Sequence, residues 1–403
     1  MTRDSQGSNA RESLNFRDLP KLLRDARFLR LAGQVLAVLV FVLVLVLIGD
    51  NLIYNLRQLG IELGFDFLKS QASFDIGESL IAYNRANNFA RAMLVGLLNS
   101  LRVIVLGLIL TTILGVIAGI ARLSDNWLVR QLALVYVEIF RNTPLLLQLF
   151  FWYFAVFLRL PDIENRISLP GPTYLTGRGA YLPWVQATDG TGVWVLLLAI
   201  GIVSAIALWR WRTYLMEEQG RSENIVLWAL GPLAVAVLLA FILTGTIPFR
   251  LNLPQVVGGT QIQGGLGLST EFCTILLGLV VYTGSFIAEI VRAGIQAVPK
   301  GQWEAARALG LKPGRVMRMV ILPQALRVII PPLTSQYLNL AKNSSLAVAI
   351  GFPDFYFVAS TTFNQTGRVV EVMLLIMLTY LTISLSISLL MNQYNRTVQL
   401  QQR

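Results

Sequence analysis

Charged and amide side chains recur at helical spacing inside segments that are otherwise apolar. Glu138, Arg141, Leu145, Gln148 and Trp152 follow one another at three- or four-residue steps. So do Tyr282, Ser285, Glu289 and Arg292, and likewise Gln336, Asn339 and Asn343 with Lys342 alongside. Residues spaced in this way share one helix face, so each segment is predicted to carry a polar stripe. Charge inside a bilayer is costly and normally faces the bundle interior or a water-filled route. The stripes offer both signs, as a zwitterionic solute requires. The same residues could instead hold helices together, and Glu138 and Arg141 at i, i+3 could neutralise each other. Spacing leaves both readings open.

Little else could do chemistry. There is no histidine, which excludes Ser-His-Asp triads, Cys-His pairs and His-ligated zinc or haem. Cys273 is the single cysteine and cannot form an intrachain disulfide. No GxxxxGK[ST] loop is present, and Gly264-Gly265-Leu266-Gly267 lacks the lysine, so any ATP must be hydrolysed on another chain. No catalytic residue, metal ligand or cofactor is expected.

The elements that position the stripes follow from composition. Of 403 residues, 55% are hydrophobic and 14% charged, against roughly a quarter charged in soluble domains. This excludes a soluble enzyme, a secreted disulfide scaffold and a disordered tail. We expect an all-α polytopic membrane protein with about eight spans: 31–48, 93–121, 131–158, 192–209, 225–244, 271–291, 328–349 and 371–391. With the N-terminus inside, 21 Lys/Arg lie on the inner side and nine on the outer, so both termini are expected in the cytoplasm. Topology thus accounts for the net charge of +11 without nucleic acid. Residues 31–48 read as an uncleaved span, preceded by a 30-residue segment rich in charged and polar side chains and ending without a small-residue cleavage site. Gly115-x-x-x-Gly119 reads as a packing face. Pro144 and Pro331-Pro332 are expected to break their helices, freeing backbone groups that only protein or a cavity can accommodate.

The loop 294–323 carries a more specific pattern. Helix formers over Gln302–Leu309 follow Pro299-Lys300-Gly301 and stop at Gly310, a favoured residue just beyond a helix end. Pro313 can open a second short helix, which Pro323 is expected to end. Trp303 and Ala306 would share a face of the resulting knob, the small Ala305 and Ala306 would allow close approach, and Glu304 with the arginines would supply oriented charge. The run Glu304-Ala305-Ala306, Gly310, Val320, Leu322-Pro323 resembles the EAA signature of ABC-importer permeases, with valine in a usual isoleucine position. In that family the loop docks into a groove on a separate ATPase subunit.

Further stretches extend the resemblance. Glu138-Ile-Phe-Arg-Asn-Thr-Pro, Tyr282-Thr-Gly-Ser-Phe-Ile-Ala-Glu289-Ile-Val-Arg and Leu340-Ala-Lys-Asn-Ser-Ser-Leu346 are similar to motifs of the histidine/glutamine permease family of polar amino-acid permeases. The likeness covers roughly 93–158 and 270–392. The intervening 159–269 looks like the enlargement seen in general L-amino acid permeases of Gram-negative bacteria, adding two spans and a Gly/Pro-rich outer stretch. The resulting division is a cytoplasmic segment (1–30), a first span with a periplasmic stretch (31–92), a first core segment (93–158), the insertion (159–269), a second core segment (270–392) and a cytoplasmic tail (393–403). The resemblance implies an ABC type I importer permease core with two inserted helices. It would be an inner-membrane permease subunit for polar or general L-amino acids, not itself an enzyme. Its partners would be ATPase subunits, a second permease or itself, a periplasmic amino-acid-binding protein and membrane lipid. Glu138, Arg141, Gln148, Ser285, Glu289, Gln336, Asn339, Lys342 and Asn343 are then the candidate path residues. A self-energised secondary transporter is the alternative, but it leaves the EAA loop unexplained and no internal repeat is visible.

Overall fold

The computed structural model describes residues 26–58, 63–219 and 225–399. The expected N-terminal segment therefore lies almost wholly outside the described residues, as does the end of the tail. The chain divides into two units, 1–66 and 67–403. The first contains helix α1 (Ala26–Gln58), long and apolar enough over Gly33–Asn55 to cross a membrane.

The second unit is built around two long helices, α2 (Phe89–Ala121) and α7 (Thr270–Gln296). Each begins at a side-chain cap that satisfies an otherwise orphaned N–H. Asn88 accepts from the Arg91 N–H at 3.0 Å, and Ser269 accepts from the Phe272 N–H at 3.0 Å. The two helices run side by side in the same direction, with Thr111 meeting Val280 and Gly119 meeting Val291. Glycines permit the approach: a Cβ on Gly115 would lie 2.6 Å from Ile287 Cβ, and one on Gly119 would lie 2.7 Å from the Ala288 carbonyl oxygen. The packing role expected for this glycine pair is what the structure shows.

Between these helices the chain forms α3 (Trp127–Arg141) and α4 (Leu145–Phe150), the latter continuing through a π-turn at Phe151–Val156. The predicted third span is thus two limbs, bent by 106° at residues 142–144. Pro144 breaks the helix as expected, because its ring excludes the preceding residue from helical geometry. After α7 come the short helix α8 (Lys300–Ala308), a turn of helix α9 (Pro313–Arg315), a π-turn at Val316–Ile321, and α10 (Leu322–Asn343). Helices α11 (Phe355–Thr366) and α12 (Val369–Val398) complete the unit. The short α11 has no counterpart among the expected elements.

Two proline expectations need correction. Pro323 does not end the second loop helix, because the π-turn leads directly into α10 with the proline in its first turn, where the missing N–H matters least. Pro331 and Pro332 lie inside an unbroken α10. Both are exposed, whereas the neighbouring Ile329, Ile330 and Leu333 are buried and hold the helix.

The insertion contains the expected pair of apolar helices, α5 (Thr191–Gln219) and α6 (Ile225–Thr244), packed on each other where Gly201 meets Ala236. Trp194 Nε1 donates to Thr244 Oγ1 at 3.0 Å and to the Thr246 carbonyl at 2.9 Å, fastening the hairpin's open end. The expected Gly/Pro-rich stretch is folded as well. Strands β1 (Ile167–Leu169), β2 (Thr173–Thr176), β3 (Gly179–Leu182) and β8 (Leu266–Ser269) form an antiparallel sheet in that order. Strand β4 (Trp184–Ala187) pairs with β5 (Phe249–Asn252), and β6 (Gln255–Val257) with β7 (Gln261–Gln263). Since β8 feeds α7 and α7 feeds the 294–323 loop, the second unit has a sheet end and a loop end.

Candidate functional site

The loop end is held by apolar packing rather than by its charges. Ala306 is buried against Val298, Val316, Ile321 and Ala325, with Trp303 and Leu311 at the edge of that cluster. Gly294 admits Ile329 of α10 to within 2.3 Å of where a Cβ would stand. Gly310 has φ +72° and ends α8. The Leu311 N–H returns to the Ala306 carbonyl at 3.4 Å and the Gly310 N–H to that of Arg307 at 2.9 Å. These are the paired bonds of a Schellman stop.

The expected loop residues therefore divide by role. Trp303 and Ala306 face the cluster, Gly310 sets the turn, and Glu304 and Ala305 are exposed together with Leu309, which is 80% exposed. Leu322 is partly exposed and Pro323 half-buried where the loop becomes α10. Gln324 Nε2 also donates to Gln302 Oε1 at 3.1 Å, tying α8 to α10. Sequence reasoning misses that pair, because nothing marks two glutamines 22 residues apart as neighbours. From α9 the chain runs through the π-turn into α10 without a loop between them.

The bend in the third segment separates its stripe. Gln148 is buried, and its Nε2 donates to the Phe140 carbonyl at 2.9 Å, the Thr143 carbonyl at 3.0 Å and Thr143 Oγ1 at 2.8 Å. It thereby caps the carbonyls left open where α3 stops. Glu138 is exposed and accepts from Asn142 Nδ2 at 3.0 Å. Glu138 and Arg141 do not neutralise each other, because Arg141 turns to Glu289, 3.9 Å away, and lies over the Phe286 ring at 5.5 Å.

Glu289 is the centre of a cluster. Its carboxylate pairs with Arg122 at the end of α2 and with Arg292 one turn on, as well as with Arg141. Three helices are joined there by one carboxylate. Ser285 of the same segment is fully buried, and its hydroxyl donates to the Tyr282 carbonyl at 2.6 Å within its own helix.

The stripe on α10 is open. Asn339 and Lys342 are exposed, and Pro331 and Ser335 continue the same face at three- and four-residue steps. Gln336 and Asn343 are half-buried to one side. Lys342 pairs with no carboxylate among the described residues. Ser335 is absent from the expected path residues, although its spacing to Asn339 and Lys342 is legible in the sequence.

The sheet end is closed by a separate polar network. Glu78 pairs with Arg102 of α2 and accepts from Ser269, while Arg102 lies over the Phe272 ring at 4.0 Å. Asn99 Nδ2 donates to the Glu78 carbonyl at 2.8 Å and to that of Pro353 at 2.9 Å. Asp354 caps α11 through the Phe357 N–H at 2.8 Å and accepts from Tyr380 at 3.2 Å. Burial pushes the Asp354 carboxyl up to about 7, opposed by these hydrogen bonds.

Comparison with known proteins bears on this arrangement. Residues 221–399 match the family described as "Binding-protein-dependent transport system inner membrane component". The chain is 45% identical to the putative amino-acid ABC transporter permease protein YhdX of Escherichia coli, over 92% of this chain and 94% of that one. It is 43% identical to the general L-amino acid transport system permease protein AapQ of Rhizobium johnstonii, over 94% of each. The glutamate/glutamine/aspartate/asparagine transport system permease protein BztB of Rhodobacter capsulatus is 41% identical, over 96% of this chain and 97% of its own. Among solved structures, an amino acid ABC transporter with histidines aligns with 77% of this chain and 95% of its own, at 21% identity and a TM-score of 0.44. Sequence identity at this level along nearly the whole length shows the family: the chain belongs to the permease proteins of amino-acid ABC transporters.

Proposed function

We propose that this permease imports polar or general L-amino acids across the bacterial inner membrane, with ATP hydrolysed by separate ATPase chains docked on α8. A second permease, either a homologue or a second copy, faces α10, and a periplasmic amino-acid-binding protein delivers substrate at the sheet end. The loop 294–323 and both termini are cytoplasmic in this reading.

The observation that carries it is Lys342, a charged side chain on an exposed face of an apolar helix with no carboxylate partner among the described residues of its own chain. A bare ammonium is untenable against lipid and acceptable beside water. Ser335, Asn339 and Lys342 therefore belong on one wall of an aqueous path, with the other wall supplied by the second permease. Lys342 is suited to a substrate carboxylate and the two neutral groups to its polar atoms. ATPase closure displaces α8, and α9 with the π-turn transmits the movement to α10. Access alternates as that wall shifts.

The test is uptake of labelled amino acids by proteoliposomes containing the assembled transporter with Lys342→Met. Normal membrane levels with at least about tenfold lower uptake are expected, the loss of one charge-assisted contact to substrate. Unchanged uptake across several amino acids would remove Lys342 from the path.

A further inference from the structure

We propose that Lys312, Arg315 and Arg318 form a binding site for the headgroup of an anionic phospholipid. These three side chains recur at i, i+3 and i+6 from the residue just before α9 into the π-turn, and they edge a single surface. Together with Gly314 and Met319 they line an open cleft of about 640 Å³. None of them pairs with a carboxylate among the described residues.

The opposite side of the same stretch is already occupied. Val316 and Ile321 are buried there and pack in the cluster that holds Ala306 and Trp303. The ridge therefore points away from the seat of the knob. Apolar exposure begins immediately beyond it, with Met319 65% and Leu322 39% exposed. A bilayer places its phosphates at the level where outward apolar surface gives way to polar surface. Cations at that junction meet phosphate oxygens, while Met319 and the aliphatic stems of the arginines lie along an acyl chain. The ligand chemistry is thus a phosphodiester carrying net negative charge and joined to a hydrocarbon chain. A lipid held there would brace the stretch through which the knob acts on α10.

The assignment rests on the membrane reading of α10 given under Proposed function. Native mass spectrometry of the intact detergent-purified transporter, titrated with phosphatidylglycerol or phosphatidylcholine of identical chains, tests it. Each basic side chain at a charged surface contributes roughly a fivefold effect. Wild type should retain phosphatidylglycerol at least about tenfold better than phosphatidylcholine. Lys312→Gln/Arg315→Gln/Arg318→Gln should remove most of that preference, Arg315→Gln alone should lower it about fivefold, and Arg315→Lys/Arg318→Lys should keep it.

Equal retention in wild type and the variants overturns the proposal. So does loss of the ATPase chain with lipid preference intact, which would make the ridge a protein interface. Displacement of the lipid by millimolar inorganic phosphate also overturns it, in favour of a free anion. Detergent binding has no sides, so failure here leaves orientation untouched. Side-specific labelling of Lys312→Cys and Gln261→Cys, in a Cys273→Ala background, reports orientation separately.

Discussion

Gly310 gives the sharpest test of coupling, because its cost can be isolated. Its φ of +72° is left-handed, and a Cβ built there meets nothing within 4 Å. A substitution therefore strains the backbone and touches nothing else. An L-residue in this region costs roughly 1–2 kcal/mol, and asparagine less because its side chain can bond locally. A difference of that size changes the population of the Schellman-capped turn by a factor of about 5–30. A β-branched residue is worse at positive φ. The stop, and with it the direction in which α9 leaves α8, should degrade in the order Gly, Asn, Ala, Val. The assay is amino-acid uptake together with ATP hydrolysis stimulated by loaded binding protein, in proteoliposomes of the whole transporter. Gly310→Asn should stay near wild type, Gly310→Ala should lose a measurable fraction, and Gly310→Val should abolish both readouts at normal membrane levels. Gly301→Ala, in equally open space without positive φ, is the control and should be silent. Full uptake and stimulated hydrolysis in Gly310→Val would refute the loop as coupling element.

Gly119→Val should destabilise the detergent-purified protein by about 1–3 kcal/mol or more, since an added Cβ would stand 2.7 Å from the Ala288 carbonyl; an unchanged thermal unfolding midpoint would show that α2 and α7 can part without cost. Glu289→Gln should lower uptake with the protein still in the membrane, because three arginines lose their shared carboxylate. If Glu289 works by joining helices, Arg122→Gln should reproduce the defect, whereas a defect confined to Glu289→Gln points to substrate contact and wild-type uptake in both to neither.

Much was legible in the sequence because the signals are local or compositional. Apolar runs mark helices whatever surrounds them: of the eight expected spans, six are helices long and apolar enough to cross a membrane, the bent α3–α4 pair makes a seventh if it is one span, and α6 has a shorter apolar stretch, Leu230–Thr244. The knob was legible because Pro299, Gly310 and Pro313 set backbone geometry through their own covalent structure, without help from distant residues. The EAA spacing added the family, which near-full-length identity bears out.

What the sequence could not decide was which polar residue meets which. Periodicity assigned Glu138 and Gln148 to one stripe, but a 106° bend made Gln148 a cap and left Glu138 outside. The same periodicity could not tell that Arg141 would reach Glu289 on another helix rather than Glu138 on its own. The prolines of α10 survive in an unbroken helix because their face is exposed, a property of the packed bundle and not of the proline. Strands of three or four residues carry too short an alternation to be read, and two of the pairings, β3 with β8 and β4 with β5, join strands separated in sequence by the α5–α6 hairpin. The long apolar helices and the stop at Gly310 are governed by interactions within a turn or two of chain, and sequence alone determined them, whereas the outcome at Pro323, Pro331 and Pro332 was not local. The partners of Glu289, the burial of Ser285 and the openness of Lys342 depend on residues brought together from many positions away, and only the tertiary structure could decide them.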